Sequence, residues 1–172
     1  MAANKYLASI TGRIKEVLGL VVSTGAPDAN KIVALDAAGK LDISLMPTGV
    51  GAEVTVAASF ENLTAGDFVN LFLSAGVIKV QKADATNNAK PAHGFVLANV
   101  TAPADATVYR LSNLNTAVAG LTIGSDYFLA TTPGSLTATP PSAAGNIVQP
   151  LGRAALATSI VLANEQFWVE IA

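Results

Sequence analysis

The sequence predicts a mainly β protein: an N-terminal helix and extended connector, followed by a small β-barrel or β-sandwich domain. Three observations carry that reading. Beyond about residue 53, short apolar runs recur at near-regular spacing, the signature of an all-β barrel or sandwich. Glycine and proline punctuate those runs where the backbone must turn or a ladder must end. Ahead of them, Leu7, Ile10, Ile14, Val17 and Val21 recur at alternating spacings of three and four, the stripe of an amphipathic helix. The chain is accordingly divided at 1–52 and 53–172.

In chain order, the stripe from Leu7 to Val21 has Ser9, Thr11, Arg13, Lys15 and Glu16 between its apolar positions. Its β-branched core positions favour three or more helices over two. The pattern lasts only about two heptads, and Gly12 and Gly19 each cost roughly 1 kcal/mol of helix propensity relative to alanine. The helix therefore either lies on its own domain or joins a symmetric bundle or a partner. Gly25-Ala26-Pro27-Asp28 ends it. In the connector Asn30–Pro47, Ile32 to Leu35 is a short strand, Asp36 to Gly39 a type I turn, and Lys40-Leu41-Asp42 a return closed by Leu45-Met46-Pro47.

In the second region, Val54 to Ala57 alternates and Leu63 to Asp67 is a turn. Phe68 to Leu73 is a run suited to a strand covered on both faces. Ala75-Gly76 leads into Val77 to Ala83, and a polar loop spans Asp84 to Lys90. Further strands are expected at Thr107–Leu111, Tyr127–Ala130, Ser135–Thr139, from Ile147 onward, and at Gln166–Ile171. Short strands of this kind favour closure, which removes exposed edges. Alternation in the last strand puts Phe167, Val169 and Ile171 on one face and Gln166, Trp168 and Glu170 on the other. The single tryptophan thus falls on a polar face, either flat over a neighbouring strand or as an interface anchor.

Composition excludes several classes of function. Charged residues make up 13% of the chain against 51% hydrophobic residues, where about 25% charged is usual. A lone molecule with so few charges would show apolar patches to water. Burial against copies of itself or against a large partner is the simplest resolution. A net charge of -2 with no basic run leaves no footprint for nucleic acid. With no cysteine, disulfides and thiolate chemistry are excluded, and no membrane span is expected. As a signal peptide, the segment around Val17–Val22 has too short an apolar core, with Glu16 against it.

Catalytic patterns are missing from the sequence. His93 is the only histidine, so a two-histidine metal site cannot form within one chain, and a structural histidine is expected. Asp28, Asp36 and Asp42 match no calcium-loop spacing and read as turn aspartates. Neither phosphate-binding nor dinucleotide-binding glycine motifs occur. No cofactor, metal or catalytic residue is assigned, and the protein is not expected to be an enzyme.

Several stretches bear a family resemblance. YFLATTPGSLTATPP…VQPLGRAALATSIVL (127–162) resembles the C-terminal β domain of small tailed-bacteriophage virion proteins that decorate capsids as cement proteins or form head fibres. TAGDFVNLF…VIKVQKADATNN…PAHGFVLANV (64–100) is similar to the first half of that domain, which some tail fibres share. The segment KIVALDAAGKLDISLMP (31–47) resembles a connector common in phage fibre and decoration proteins. The resemblance implies a homotrimer on the outer surface of the capsid, with the major capsid protein as partner, assembled in the host cytoplasm. Leu7, Ile10, Ile14, Val17, Val21, Ile32, Leu35, Leu45 and Trp168 are then the expected trimer or capsid contacts. The alternative it leaves open is a tail-fibre protein that binds a host receptor.

Overall fold

The computed structural model describes residues 5–46, 51–163 and 167–172, the side chain of Ile43 apart. The chain divides into two compact units, Met1–Gly51 and Ala52–Ala172.

In the first unit the expected helix is replaced by a β-hairpin of β1 (Lys5–Ile10) and β2 (Arg13–Leu18), paired antiparallel from Lys5↔Leu18 to Ile10↔Arg13. Its turn explains the difference. Thr11 and Gly12 both adopt positive φ, 52° and 76°, the geometry of a two-residue type I′ loop whose twist matches that of the strands. The hydroxyl of Thr11 donates to the carbonyl of Ile10 at 2.7 Å, tying the turn down. Beyond the hairpin the chain forms a short 3-10 turn at Ala26–Asp28 and another at Ile43–Leu45. Between them, the expected strand at Ile32–Leu35 is reduced to one parallel bridge, Leu20↔Val33. The Asp36–Gly39 turn forms as expected, closed by the Gly39 amide on the Asp36 carbonyl at 3.1 Å. Pro47, expected to close the connector, lies outside the described residues.

The second unit is mainly β, as predicted. Its first five strands are β3 (Val54–Ser59), β4 (Phe68–Ser74), β5 (Val77–Lys82), β6 (Gly94–Val96) and β7 (Asp105–Arg110), closed into a barrel in the order β3-β5-β4-β6-β7. Only β3 and β5 run parallel among these neighbours. The β4–β5 hairpin repeats the device of the first unit: Ala75 and Gly76 hold φ of 49° and 79°. Alternation turns Val69, Val80, Val96, Ala106 and Val108 inward, where they pack with Leu63 as the barrel core.

The strands that follow are β8 (Leu114–Asn115), β9 (Asp126–Leu129), β10 (Leu136–Thr137), β11 (Ile147–Val148), β12 (Pro150–Leu156), β13 (Ser159–Leu162) and β14 (Val169–Glu170). Five of them form a second sheet, β10-β9-β12-β13-β8, and β11 pairs with β14. A second core joins sheet and barrel: Phe68 and Phe95 pack with Leu111, Leu129, Ile147, Leu151 and Ile160. Phe95 also stacks on Tyr109, ring centroids 5.6 Å apart. The expected strands at Ser135–Thr139 and Gln166–Ile171 shrink to Leu136–Thr137 and Val169–Glu170, and Gln166 lies outside the described residues.

Buried polar groups in this unit are matched in pairs. Gln149 accepts the Ala92 amide at 2.7 Å and donates to the Ala92 carbonyl at 2.8 Å, so a side chain bonds as a strand neighbour would. Asn70 donates to the Pro91 carbonyl and accepts from Gln81. Such matching removes the cost of about 1–3 kcal/mol that an unmet buried polar group carries.

Candidate functional site

The surface that stands out is the hairpin of the first unit. Its register fixes two faces. One carries Lys5, Leu7 and Ser9 from β1 with Ile14, Glu16 and Leu18 from β2; the other carries Tyr6, Ala8 and Ile10 with Arg13, Lys15 and Val17. Leu7 and Ile14 are 73% and 76% exposed, and Leu18 is exposed beside them. Among the described residues of this unit none is buried. Fully burying one such side chain contributes about 1.5–3 kcal/mol, so covering these three would yield roughly 4 kcal/mol or more per chain. An isolated two-stranded hairpin is marginal in water, and no described residue of this unit is buried to form a core behind it.

The two faces differ in charge. On the Leu7 face, Lys5 and Glu16 form an ion pair at 2.7 Å, so the face is neutral. On the Tyr6 face, Arg13 and Lys15 have no carboxylate within bridging distance among the described residues. The outer edge of β1 has no strand partner there either.

Residues proposed as contacts from the sequence fall on both faces and beyond. The three-and-four spacing that suggested one helical stripe is split by strand alternation, because residues three apart in one strand face opposite sides: Leu7 and Ile14 lie on one face, Ile10 and Val17 on the other. Val21 and Leu45 are half-buried, whereas Ile32 and Leu35 are exposed. Trp168 lies just ahead of β14 at 38% exposure, between the exposed Phe167 and Val169. Sequence reading missed Leu18, Tyr6 and the Lys5–Glu16 pair; the signal was Thr11-Gly12, a turn dipeptide inside an apparent helix.

The three connector aspartates each serve their own turn. Asp28 accepts from Lys31 Nζ at 2.6 Å, the Thr24 amide at 2.6 Å and the Thr24 hydroxyl at 2.8 Å. Lys31 first, and then the two Thr24 donors, pull its pKa down to about 2. Asp36 accepts the amides of Ala38 and Lys40, both at 2.8 Å. Asp42 accepts the Ser44 amide at 2.9 Å, and the Ser44 side chain and amide hold its carboxyl below the usual range. These carboxylates are spent on backbone geometry.

His93 is likewise structural in its contacts. Its amide donates to the Val69 carbonyl at 2.8 Å, and its Nδ1 accepts the Leu71 amide at 3.0 Å, so the ring extends the edge of β4 where β6 ends. Burial holds its pKa below the ordinary imidazole value.

Two further surfaces belong to the second unit. Phe60 and Phe72 meet edge to face with centroids 5.6 Å apart, and Lys79 Nζ sits 6.0 Å from the Phe60 centroid. A shallow groove of about 330 Å³ runs over Tyr127, Pro150, Gly152 and Val161, with Arg153 at its rim. The Arg153 guanidinium is held by both oxygens of Asp126 at 2.8 and 3.0 Å, so its charge is already met.

No family model matches the sequence, and no curated protein does. The crystal structure of the N base of head fibre gp8.5 from bacteriophage phi29 is similar to this chain. The identity is 13% and the TM-score 0.44, over 68% of this chain and 98% of that one. That likeness is coarse.

Proposed function

We propose that this chain is a structural virion protein of a tailed phage, a homotrimeric capsid decoration (cement) or head-fibre protein. It binds the outer shell built by the major capsid protein through its first unit and presents the barrel unit outward. One observation carries the reading: a unit with no buried residue among those described, studded with exposed Leu, Ile and Val, is joined to a unit that has two cores of its own. The first unit has the chemistry of a surface that becomes covered; the second buries its apolar side chains in cores of its own. The connector and β-domain resemblances in the sequence point the same way.

The mechanism is mass action. A protein that binds only the assembled lattice stabilises that lattice by its binding free energy. Three linked contacts per trimer raise avidity without tight individual contacts. The test is to mix the purified protein with expanded shells, unexpanded shells and complete tailed particles, and to image each. Ordered density over the expanded lattice is the expected result; density at the tail alone would move the protein to the receptor-binding class, and none on the particle would reject a virion role.

A further inference from the structure

We infer that copies of this chain associate through one face of the β1–β2 hairpin, the stripe of Leu7, Ile14 and Leu18, and that the Tyr6–Arg13–Lys15 face takes no part in that contact. This rests on the trimeric reading above and specifies its contact. In the register of the hairpin, each cross-strand pair on the Leu7 face sets one apolar side chain against one polar one: Lys5↔Leu18, Leu7↔Glu16 and Ser9↔Ile14. The apolar members alternate between the strands, so Leu18, Leu7 and Ile14 are diagonal neighbours and form one zigzag.

Charge selects the occupant. The Lys5–Glu16 ion pair on this face sums to zero and flanks the zigzag. An identical neighbour therefore meets an apolar stripe with one cation and one anion available for exchange across the contact, and no net repulsion. Face-to-face association through the opposite side would bring Arg13 and Lys15 of one copy against the same two cations of the next, and like charges juxtaposed at an interface disfavour it. A strongly acidic partner would suit that second face; it gains nothing electrostatic from the neutral one. The neutral, self-compatible face is the one on which Leu7 and Ile14 are most exposed.

Because the chain contains no cysteine, the contact can be read without disturbing the fold. In the full chain, Leu18→Cys under mild oxidation should yield covalently linked pairs within the oligomer, and Lys15→Cys should not. Linking through Lys15→Cys alone would overturn the inference. Light scattering gives the second measurement: the unmodified chain should show three times the 17.4 kDa chain mass. Ile14→Lys should show one third of that oligomer mass, with the barrel unit's circular dichroism unchanged, while Arg13→Gln stays trimeric. If Ile14→Lys and Leu7→Lys both remain trimeric, the face is wrong and the trimer stands. An unmodified chain that runs as a single copy overturns both.

Discussion

Two hairpins in this molecule share a design and meet opposite fates. The β1–β2 and β4–β5 ladders each contain six residue pairs and each turns on a positive-φ dipeptide, Thr11-Gly12 in one and Ala75-Gly76 in the other. In β4–β5 one face is buried away from the turn, where Val69 and Val80 lie in the barrel core with Leu71 packed against them, while Leu73 and Ile78 beside the turn stay exposed. The edge of β4 is taken by β6 and then by the His93 ring. In β1–β2 neither face is buried among the described residues, and the outer edge of β1 has no partner. Local chemistry makes a hairpin; whether it stands alone depends on what its faces touch.

The largest effect that could break this contrast is a core truncation. Phe68→Ala should lower the unfolding free energy of the barrel unit by about 3–5 kcal/mol, the usual range for a buried phenylalanine. Leu7→Ala should change it by under about 0.5 kcal/mol, as exposed positions do. Urea unfolding followed by circular dichroism, at concentrations that keep chains separate, measures both. Equal losses would mean that the hairpin already shares a core with the barrel.

Much of the second unit was legible in the sequence because each signal had a single local reading. Ala75-Gly76 between Phe68–Leu73 and Val77–Ala83 allows little but a hairpin, and Pro133-Gly134 turns the chain between β9 and β10. The first unit was misread because a three-and-four spacing of apolar residues fits one face of a helix, whereas in a strand each three-residue step crosses to the other face. Leu7 and Ile14 share a face in either case; Ile10 and Val17 decide between them, and only pairing shows that they lie opposite. Edge closure by His93 or by Gln149 was out of reach, since nothing local to Ala92-His93-Gly94 names Leu71 as a partner. The connector aspartates were readable as turn residues because Asx chemistry acts within a few residues.

A middle-sized effect follows from the His93 edge. The folded state holds its pKa below the ordinary value, chiefly by burial, and the Leu71 amide uses the Nδ1 lone pair that protonation would remove. As pH falls through about 6.5 the unfolded chain takes up the proton first, so the barrel unit loses stability on the acid side and none on the alkaline side. His93→Asn keeps an acceptor for Leu71 and cannot titrate. Denaturant midpoints between pH 5 and 8 should slope in the parent chain and flatten in the variant. With one histidine in the sequence, a slope that survives the change would assign the effect to other groups.

The smallest effect separates the two units by how they respond to acid. Asp28 is held at about pH 2 by Lys31 and Thr24, so its contribution is fully present above the unfolded value near 3.9 and is lost as pH falls toward 2. The donors are all within four residues of the carboxylate, and no buried residue among those described couples this turn to a core. Its protonation should therefore loosen the Thr24–Lys31 turn locally rather than trigger cooperative unfolding. Carboxyl and amide NMR shifts, followed from pH 5 to 2, should show Thr24 and Asp28 moving together while the hairpin signals stay put. A concerted loss of the β1–β2 signals at the same midpoint would reveal a coupled core in the first unit and erase the difference between the two hairpins.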